Sequence, residues 1–280
     1  MSRLIDVMHL GNDRVIGAYD IDGVIVDPGP ASTVETLLAE AEPRVLLLTH
    51  IHLDHAGATG VLVRRFPNLK VYVHERGAPH LIDPSKLLKS ATQLYGDDME
   101  RLWGEVAPVP EENITTLSGG ERVEGFLVEY APGHASHHVA YLHEATGDAY
   151  VGDVGGVRVP PYDFGLAPTP PPDIDIEKWN ASIDMVEAWR PERLGLTHFG
   201  YVDDVRGQLA KTRAWLEEFG PLARDLSTED FAARVAKRMR DETDEQAGER
   251  LVQAAPPEQL HLGLARYWKK KAEREAEATA

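Results

Sequence analysis

The chain of 280 residues contains no cysteine. That absence removes disulfides, thiolate zinc sites, cysteine-ligated iron–sulfur clusters and cysteine nucleophiles, so any metal must be held by histidine and carboxylate side chains. Basic residues are scarce beside acidic ones, 29 against 46, for a formal net charge of −17. A nucleic-acid footprint needs clustered lysine and arginine, so nucleic acid is not an expected partner. A small anionic substrate stays open, because a bound cation supplies local positive charge. No apolar run approaches transmembrane length, and MSRLIDVMHL lacks the basic start and apolar segment of a secretion signal. The expectation is a cytoplasmic protein without a membrane partner.

A hydrophobic fraction of 42% and 24 glycines suit a globular chain with many turns. VIGAYDIDG followed by VIVDPG predicts a hairpin closing at Asp22-Gly23. Ser32 or Thr33 is placed to cap a helix running to about Glu42, which Pro43 stops. RVLLLT and KVYVHE read as strands, AGATGVLVRRF as a helix, and residues 85–103 as helical. ERVEGFLVEYAPGH, HHVAYLHE and DAYVGD open a second series, completed by a helix near 174–190 and the strand ERLGLTH. Strand and helix alternate in both halves, which predicts α/β layers over two sheets.

VPPYDFGLAPTPPPD, residues 159–173, holds six prolines and is expected to run over the surface as a stiff cover. Beyond about residue 203 glycine becomes rare, and three helices are predicted near 205–219, 228–246 and 257–276. The simplest organisation is a catalytic-type domain over residues 1–204 with a helical extension over 205–280.

THIHLDHAG, residues 49–57, carries three of the 12 histidines directly after an apolar strand. LLLTH ends at His50, VEYAPGH at His134, YVGD at Asp153 and RLGLTH at His198, so four strand candidates deliver metal-competent side chains just past their C-terminal ends. A ligand there is held by a rigid element yet faces an open edge. His50 and His52, two apart, can point to one side. Asp54 and His55 diverge as a helix begins, so the set can divide between two metals. A catalytic zinc takes about three protein ligands; His134 and His198 can fill the third positions, and Asp153 can bridge.

The H-x-H-x-D-H run in THIHLDH, the histidine of APGHASHH, the aspartate of VGDVGG and the histidine of LTHFG resemble the metallo-β-lactamase superfamily of metal-dependent hydrolases over roughly residues 1–200. The resemblance implies a four-layer αββα fold with a dinuclear site at the sheet edge. It puts His50, His52 and His134 on one metal, Asp54, His55 and His198 on the other, and Asp153 between them. PGHASHH is similar to the PGHTxGH segment of glyoxalase II relatives, which makes His138 the structural second histidine. DGVIVDPGP is similar to the Asp-Pro-Gly stretch near the N-terminus of such enzymes, which puts Asp27 behind the ligands.

The implied chemistry is attack by a hydroxide generated on two divalent ions, with Asp54 and Asp153 orienting it. Zinc is the first expectation, with iron or manganese as alternatives. A histidine at position 52, where flavodiiron relatives carry glutamate, favours hydrolysis over oxygen reduction. The expected substrate is a small ester, thioester or lactone. The alternatives are a phosphodiesterase or nuclease of the same fold, and a mononuclear iron dioxygenase acting on a persulfide.

Other residues have two readings each. Tyr162 and Phe164 in the proline-rich loop either wall a substrate or pin the loop to the core. Tyr201 either donates to an oxyanion or packs, packing being favoured. His74, His80 and His143 read as surface or hydrogen-bonded histidines, and His137 adjoins the site. Lys86, Lys89 and Arg101 read as a solvated helix face. The C-terminal helices, with Trp215, Leu216, Phe219, Phe231, Val235 and Leu251, are open to homodimerisation, lid formation or substrate contact.

Overall fold

The computed structural model describes residues 2–279. Its first sheet takes up the N-terminal half in chain order. β1 (Ser2–Asp6), β2 (Gly17–Ile21) and β3 (Val24–Val26) run antiparallel, and β4 (Val45–Leu47), β5 (Lys70–His74) and β6 (Ile114–Leu117) continue the sheet in parallel. The β2–β3 turn uses Asp22 and Gly23 at φ 51° and 84°, the positive values that match a tight hairpin to strand twist. Alternation then sorts the side chains. Val24, Val26, Val45 and Leu47 face the interior between the sheets, while Ile25, Leu46 and Leu48 face helices α1 (Val34–Glu40), α2 (Leu53–Ala56) and α3 (Thr59–Arg65).

The stretch expected as one helix over 85–103 is broken. After α4 (Ala78–Ile82), α5 (Ser85–Tyr95) ends at Gly96, whose φ of 54° cannot continue a helix, and α6 (Met99–Trp103) restarts beyond it.

β7 (Arg122–Val123), β8 (Phe126–Tyr130), β9 (Val139–His143) and β10 (Asp148–Tyr150) form the second sheet. A small hairpin, β11 (Val157–Arg158) and β12 (Gly165–Leu166), lies in the proline-rich segment, and α7 (Ile176–Trp189) follows. β13 (Arg193–Leu196) then pairs parallel with β10, and β14 (Gly200–Val202) closes the edge. Phe126, Val128, Val139, Tyr141 and Tyr150 meet the first sheet's inner face, so the layers run helix, sheet, sheet, helix.

The C-terminal segment forms four helices where three were expected: α8 (Val205–Asp225), α9 (Thr228–Glu242), α10 (Glu245–Ala254) and α11 (Pro257–Thr279). α8 continues through Pro221 because Phe219 and Ala223, one turn apart, are both buried on its inner face. Asp244 splits the second expected helix, its carboxylate accepting the Ala247 N–H at 2.8 Å as an N-cap. Trp215, Phe219, Phe231, Val235 and Leu264 share one buried cluster with Trp179 of α7 and Leu194 of β13. Residues 159–173 do not lie as a surface cover: Val159, Phe164, Leu166, Ala167 and Thr169 are buried beneath these helices, and Thr169 Oγ1 donates to the Leu260 carbonyl at 2.9 Å. Proline's missing N–H matters little there, since side-chain packing holds the segment. Among the described residues, no helix is long and apolar enough to cross a membrane.

Candidate metal centre and its cavity

Four strand ends on one edge of the sandwich supply the site. His50 follows β4, and His52 caps α2 in extended backbone, φ −61° and ψ 150°, so Asp54 and His55 fall on the first turn of that helix. His134 follows β8, Asp153 sits in the turn after β10, and His198 follows β13. α7 packs directly on the turn before His134. A Cβ on Gly133, at φ 135°, would lie 2.3 Å from the Trp179 Cα, which is why glycine precedes the histidine.

All seven residues singled out in the sequence come together, in two groups. His50, His52, His134 and Asp153 form one, and Asp54, His55 and His198 the other; within each group the ligating atoms lie within 4.8 Å of one another. Asp153 faces both. Its Oδ2 is 3.2 Å from His134 Nε2 and 4.0 Å from His50 Nε2, and its Oδ1 is 3.3 Å from His55 Nε2 and 3.7 Å from His198 Nε2. Asp54 Oδ2 is 3.3 Å from His198 Nε2.

The partners of the other ring nitrogens fix which atoms carry lone pairs. His134 Nδ1 is 2.9 Å from the Pro168 carbonyl and His198 Nδ1 is 2.7 Å from the Val15 carbonyl. A carbonyl only accepts, so both Nδ1 atoms carry hydrogen and a neutral ring presents Nε2 as a lone pair. His55 Nδ1 likewise donates to Asp27 Oδ2 at 2.8 Å. His50 Nδ1 contacts Thr49 Oγ1 at 3.1 Å, and Thr49 Oγ1 donates onward to Asp27 Oδ2 at 2.7 Å. Asp27 also accepts from the Thr49 N–H and Thr197 Oγ1, so one buried carboxylate supports ligands of both groups.

The result is a set of nitrogen lone pairs crowded on each other. His52 Nδ1 lies 3.0 Å from His50 Nε2 and 2.9 Å from His134 Nε2, a convergence that a shared cation or proton must relieve. In the second group His55 Nε2 and His198 Nε2, with Asp153 Oδ1 facing them, are buried without a hydrogen-bond partner. Buried polar atoms are rarely left so. Five imidazoles and two carboxylates aimed at two points, with no thiolate, fit divalent cations.

Electrostatics separate the groups. Burial, reinforced by neighbouring imidazoles, holds His50 well below the usual histidine range and brings His52 down to about 4. Burial opposes a charged His55 too, but Asp153, Asp54 and Asp27 together outweigh it and raise its pKa. For His198 the nearby Asp54 and Asp153 carboxylates do the same.

A cavity of about 760 Å³ opens above the two groups. His52, Asp54, Asp153 and His198 line its base. One wall comes from α5 and α6, the other from Pro168, Pro170, Pro171 and Pro172 with Ala255 and Leu260. His9, which sequence reading passed over, is a keystone of the first wall. Its Nε2 donates to the Leu102 carbonyl at 2.8 Å, its Nδ1 accepts from Gln253 Nε2 at 3.0 Å, and its ring stacks on Trp103 at 5.4 Å. These partners lie 93 and 244 residues away, so no local signal marked it.

The remaining candidates fall outside the centre. Phe164 is buried against Trp215 at 6.1 Å, and neither it nor Tyr162 lines the cavity. Tyr201 lies under the Arg193 guanidinium at 3.6 Å and shares a 3.2 Å hydrogen bond with Tyr150. His74 stacks on Tyr130, and His143 bonds Thr146. His138 is buried with its ring 4.9 Å from His50, and His137 stacks more loosely at 6.2 Å. Of Lys86, Lys89 and Arg101, Arg101 reaches the cavity.

Fold and site together define an αββα protein with a histidine–aspartate metal centre at the sheet edge. The sequence profile of the Metallo-beta-lactamase superfamily matches residues 18–198. Over 186 residues the chain is 26% identical to the metallo-beta-lactamase fold-containing protein ST1585 of Sulfurisphaera tokodaii, covering 64% of this chain and 69% of that one. The crystal structure of ST1585, from Sulfolobus tokodaii, superposes with a TM-score of 0.72 at 21% identity, covering 94% and 97% of the two chains. A 122-residue stretch is 34% identical to the hydroxyacylglutathione hydrolase of Pectobacterium carotovorum, 43% of this chain, and spans only 38% of that enzyme. TTHA1623, solved in a di-iron-bound form, superposes with a TM-score of 0.51 at 25% identity, covering 75% and 92%. The chain belongs to the metallo-β-lactamase superfamily and is a metal-dependent hydrolase of that family.

Proposed function

We propose that the chain holds two divalent ions, zinc by the chemistry of its donors, and hydrolyses an ester, thioester or lactone. The observation that carries this reading is the division of the site about Asp153, each of whose oxygens faces a different set of imidazole lone pairs. His50, His52 and His134 would hold one ion, Asp54, His55 and His198 the other, and Asp153 would serve both. When bound, such a pair supplies Lewis acidity and a water acidic enough to lose its proton near neutral pH.

The chain's own groups divide the remaining work. Asp153 has a side-chain exposure of 4% and is hemmed in by imidazoles, so it orients. Asp54 has an exposure of 22% and lines the cavity, so its carboxylate is the one that meets the proton of the attacking water. In the reaction the water oxygen joins the acyl carbon, the C–O or C–S bond breaks, and the departing oxygen or sulfur takes up a proton. The stretch shared with a hydroxyacylglutathione hydrolase supports acyl over phosphoryl transfer, as does the acidic net charge of −17.

The test is a panel of lactones, acyl esters, thioesters and phosphodiesters assayed with protein of defined metal content. Turnover of an acyl substrate that chelation abolishes is expected; turnover of phosphodiesters alone, or oxygen consumption with a persulfide, contradicts the reading.

A further inference from the structure

The cavity wall made by α5 carries an apolar stripe, with Ser90 and Gln93 beside it. In SKLLKSATQLY, Leu87, Ala91, Leu94 and Tyr95 fall at i, i+4, i+7 and i+8, one face of a helix, and all four line the cavity. Lys86, Lys89 and Thr92 take the exposed face. The buried part of the cavity-side face, Ala91, meets Leu53 and Trp103 in a small cluster apart from the three larger cores. Leu87 and Tyr95 pack against that cluster, and Leu87 also touches the core behind the first sheet, so the stripe is shared between the protein interior and the cavity.

The opposite wall matches it. Pro168 and Pro170 to Pro172 present rings without N–H donors, and Ala255 and Leu260 extend that surface. The two walls meet where the Tyr95 hydroxyl donates to Gln259 Oε1 at 3.4 Å. Charged lining residues lie either at the base, as Asp54 and Asp153, or among exposed positions. Asp98 and Arg101 pair with each other at 2.9 Å, and Arg266 donates to the Pro172 carbonyl at 3.1 Å. In a chain of net charge −17, the space above the metal centre thus has apolar stripes on two sides, with Ser90, Gln93, Gln253 and Gln259 as the uncharged polar groups among them. Its volume falls within the range that encloses most of a ligand of several hundred daltons.

We propose that this cavity receives an extended apolar acyl chain, so that the substrate is a medium- to long-chain acyl ester, thioester or lactone whose scissile carbonyl lies at the base beside Asp54. The inference rests on the hydrolytic reading above and narrows it. A short hydroxyacyl group would leave both walls wetted, whereas an alkyl chain removes that surface from water at a gain of roughly 25 cal/mol per Å². The products are the fatty carboxylate and the free thiol or alcohol.

The experiment is a series of acyl thioesters and esters from acetyl to decanoyl, with lactones of matching chain length, assayed with the metal-loaded protein, alongside calorimetric titration with decanoate. The expected result is a rise in kcat/KM of about fourfold per methylene until the cavity is filled, following the free energy of burying one CH2. Leu94→Trp, which fills part of the space from a half-buried position, is expected to lower the decanoyl-to-acetyl ratio of kcat/KM about tenfold and to weaken decanoate binding. Leu87→Trp serves where that variant fails to fold.

Turnover of the acetyl thioester with no dependence on chain length overturns the acyl-chain site and leaves the hydrolytic reading intact. Decanoate binding that the variants weaken, with no turnover at any chain length, overturns the hydrolytic reading and leaves the apolar site standing. Neither binding nor turnover overturns both.

Discussion

Asp27 and His55, 28 residues apart, share a hydrogen bond of 2.8 Å between Oδ2 and the Nδ1–H, and both side chains are fully buried. The same carboxylate receives Thr49 through its N–H and hydroxyl, and Thr197 through its hydroxyl. Thr49 and Thr197 precede His50 and His198 in the chain. One acceptor group therefore braces His55 directly and the residues that precede His50 and His198, from behind the site.

Asp27→Asn keeps the shape but replaces one acceptor oxygen with an NH2 donor. At least one of those buried donors then faces another donor, which costs about 1–3 kcal/mol. Loss of such supporting bonds lowers metal affinity about 10–100-fold. Competition with a chromogenic chelator and thermal melting measure the two effects; unchanged affinity would show that the backbone alone holds the ligands.

Glu177 of α7 accepts from the Tyr267 hydroxyl at 2.6 Å and from Lys271, tying α7 to α11. Burial works against its charge, but these hydrogen bonds outweigh it and bring the carboxyl down to about 2 from 4.5. A depressed carboxyl contributes stability above its unfolded pKa and loses it as pH falls through the folded one. Glu177 is partly exposed, so the contribution is about 1 kcal/mol or less. Glu177→Gln is expected to melt lower than the native chain at neutral pH, with the gap closing between about pH 4.5 and pH 2. A gap independent of pH would assign the loss to packing.

The shared cluster of Trp215, Phe219, Trp179 and Leu194 joins the C-terminal helices to the second sheet. We expect a single calorimetric transition for the whole chain, and Trp215→Ala to lower it by the equivalent of about 3–5 kcal/mol, the usual cost of emptying a large buried site. Two transitions, only one of them moved by Trp215→Ala, would show that residues 205–279 unfold on their own.

How far the site was legible in the sequence follows from how local its causes are. His50, Asp153 and His198 end short apolar strands, so burial and alternation placed them within a few residues. His52, Asp54 and His55 share one turn with His50. His9 and Gln253 escaped because their meeting depends on how α10 docks on the N-terminal loop, which no periodicity encodes. The break at Asp244 had a readable sign, an aspartate cap before a new helical run, masked by the charged stretch around it. The proline-rich segment misled in the other direction. Prolines kept it out of the two large sheets, yet Phe164, Leu166 and Ala167 carry it into the core.

On the proposed reading one chain holds two ions, joined through Asp153. Metal analysis of protein purified without added metal tests it most directly, with Asp153→Ala and His198→Ala alongside. Two divalent ions per native chain are expected, with loss of both in Asp153→Ala and loss of chiefly one in His198→Ala. A single iron per native chain, or two ions retained with full activity in Asp153→Ala, would contradict it.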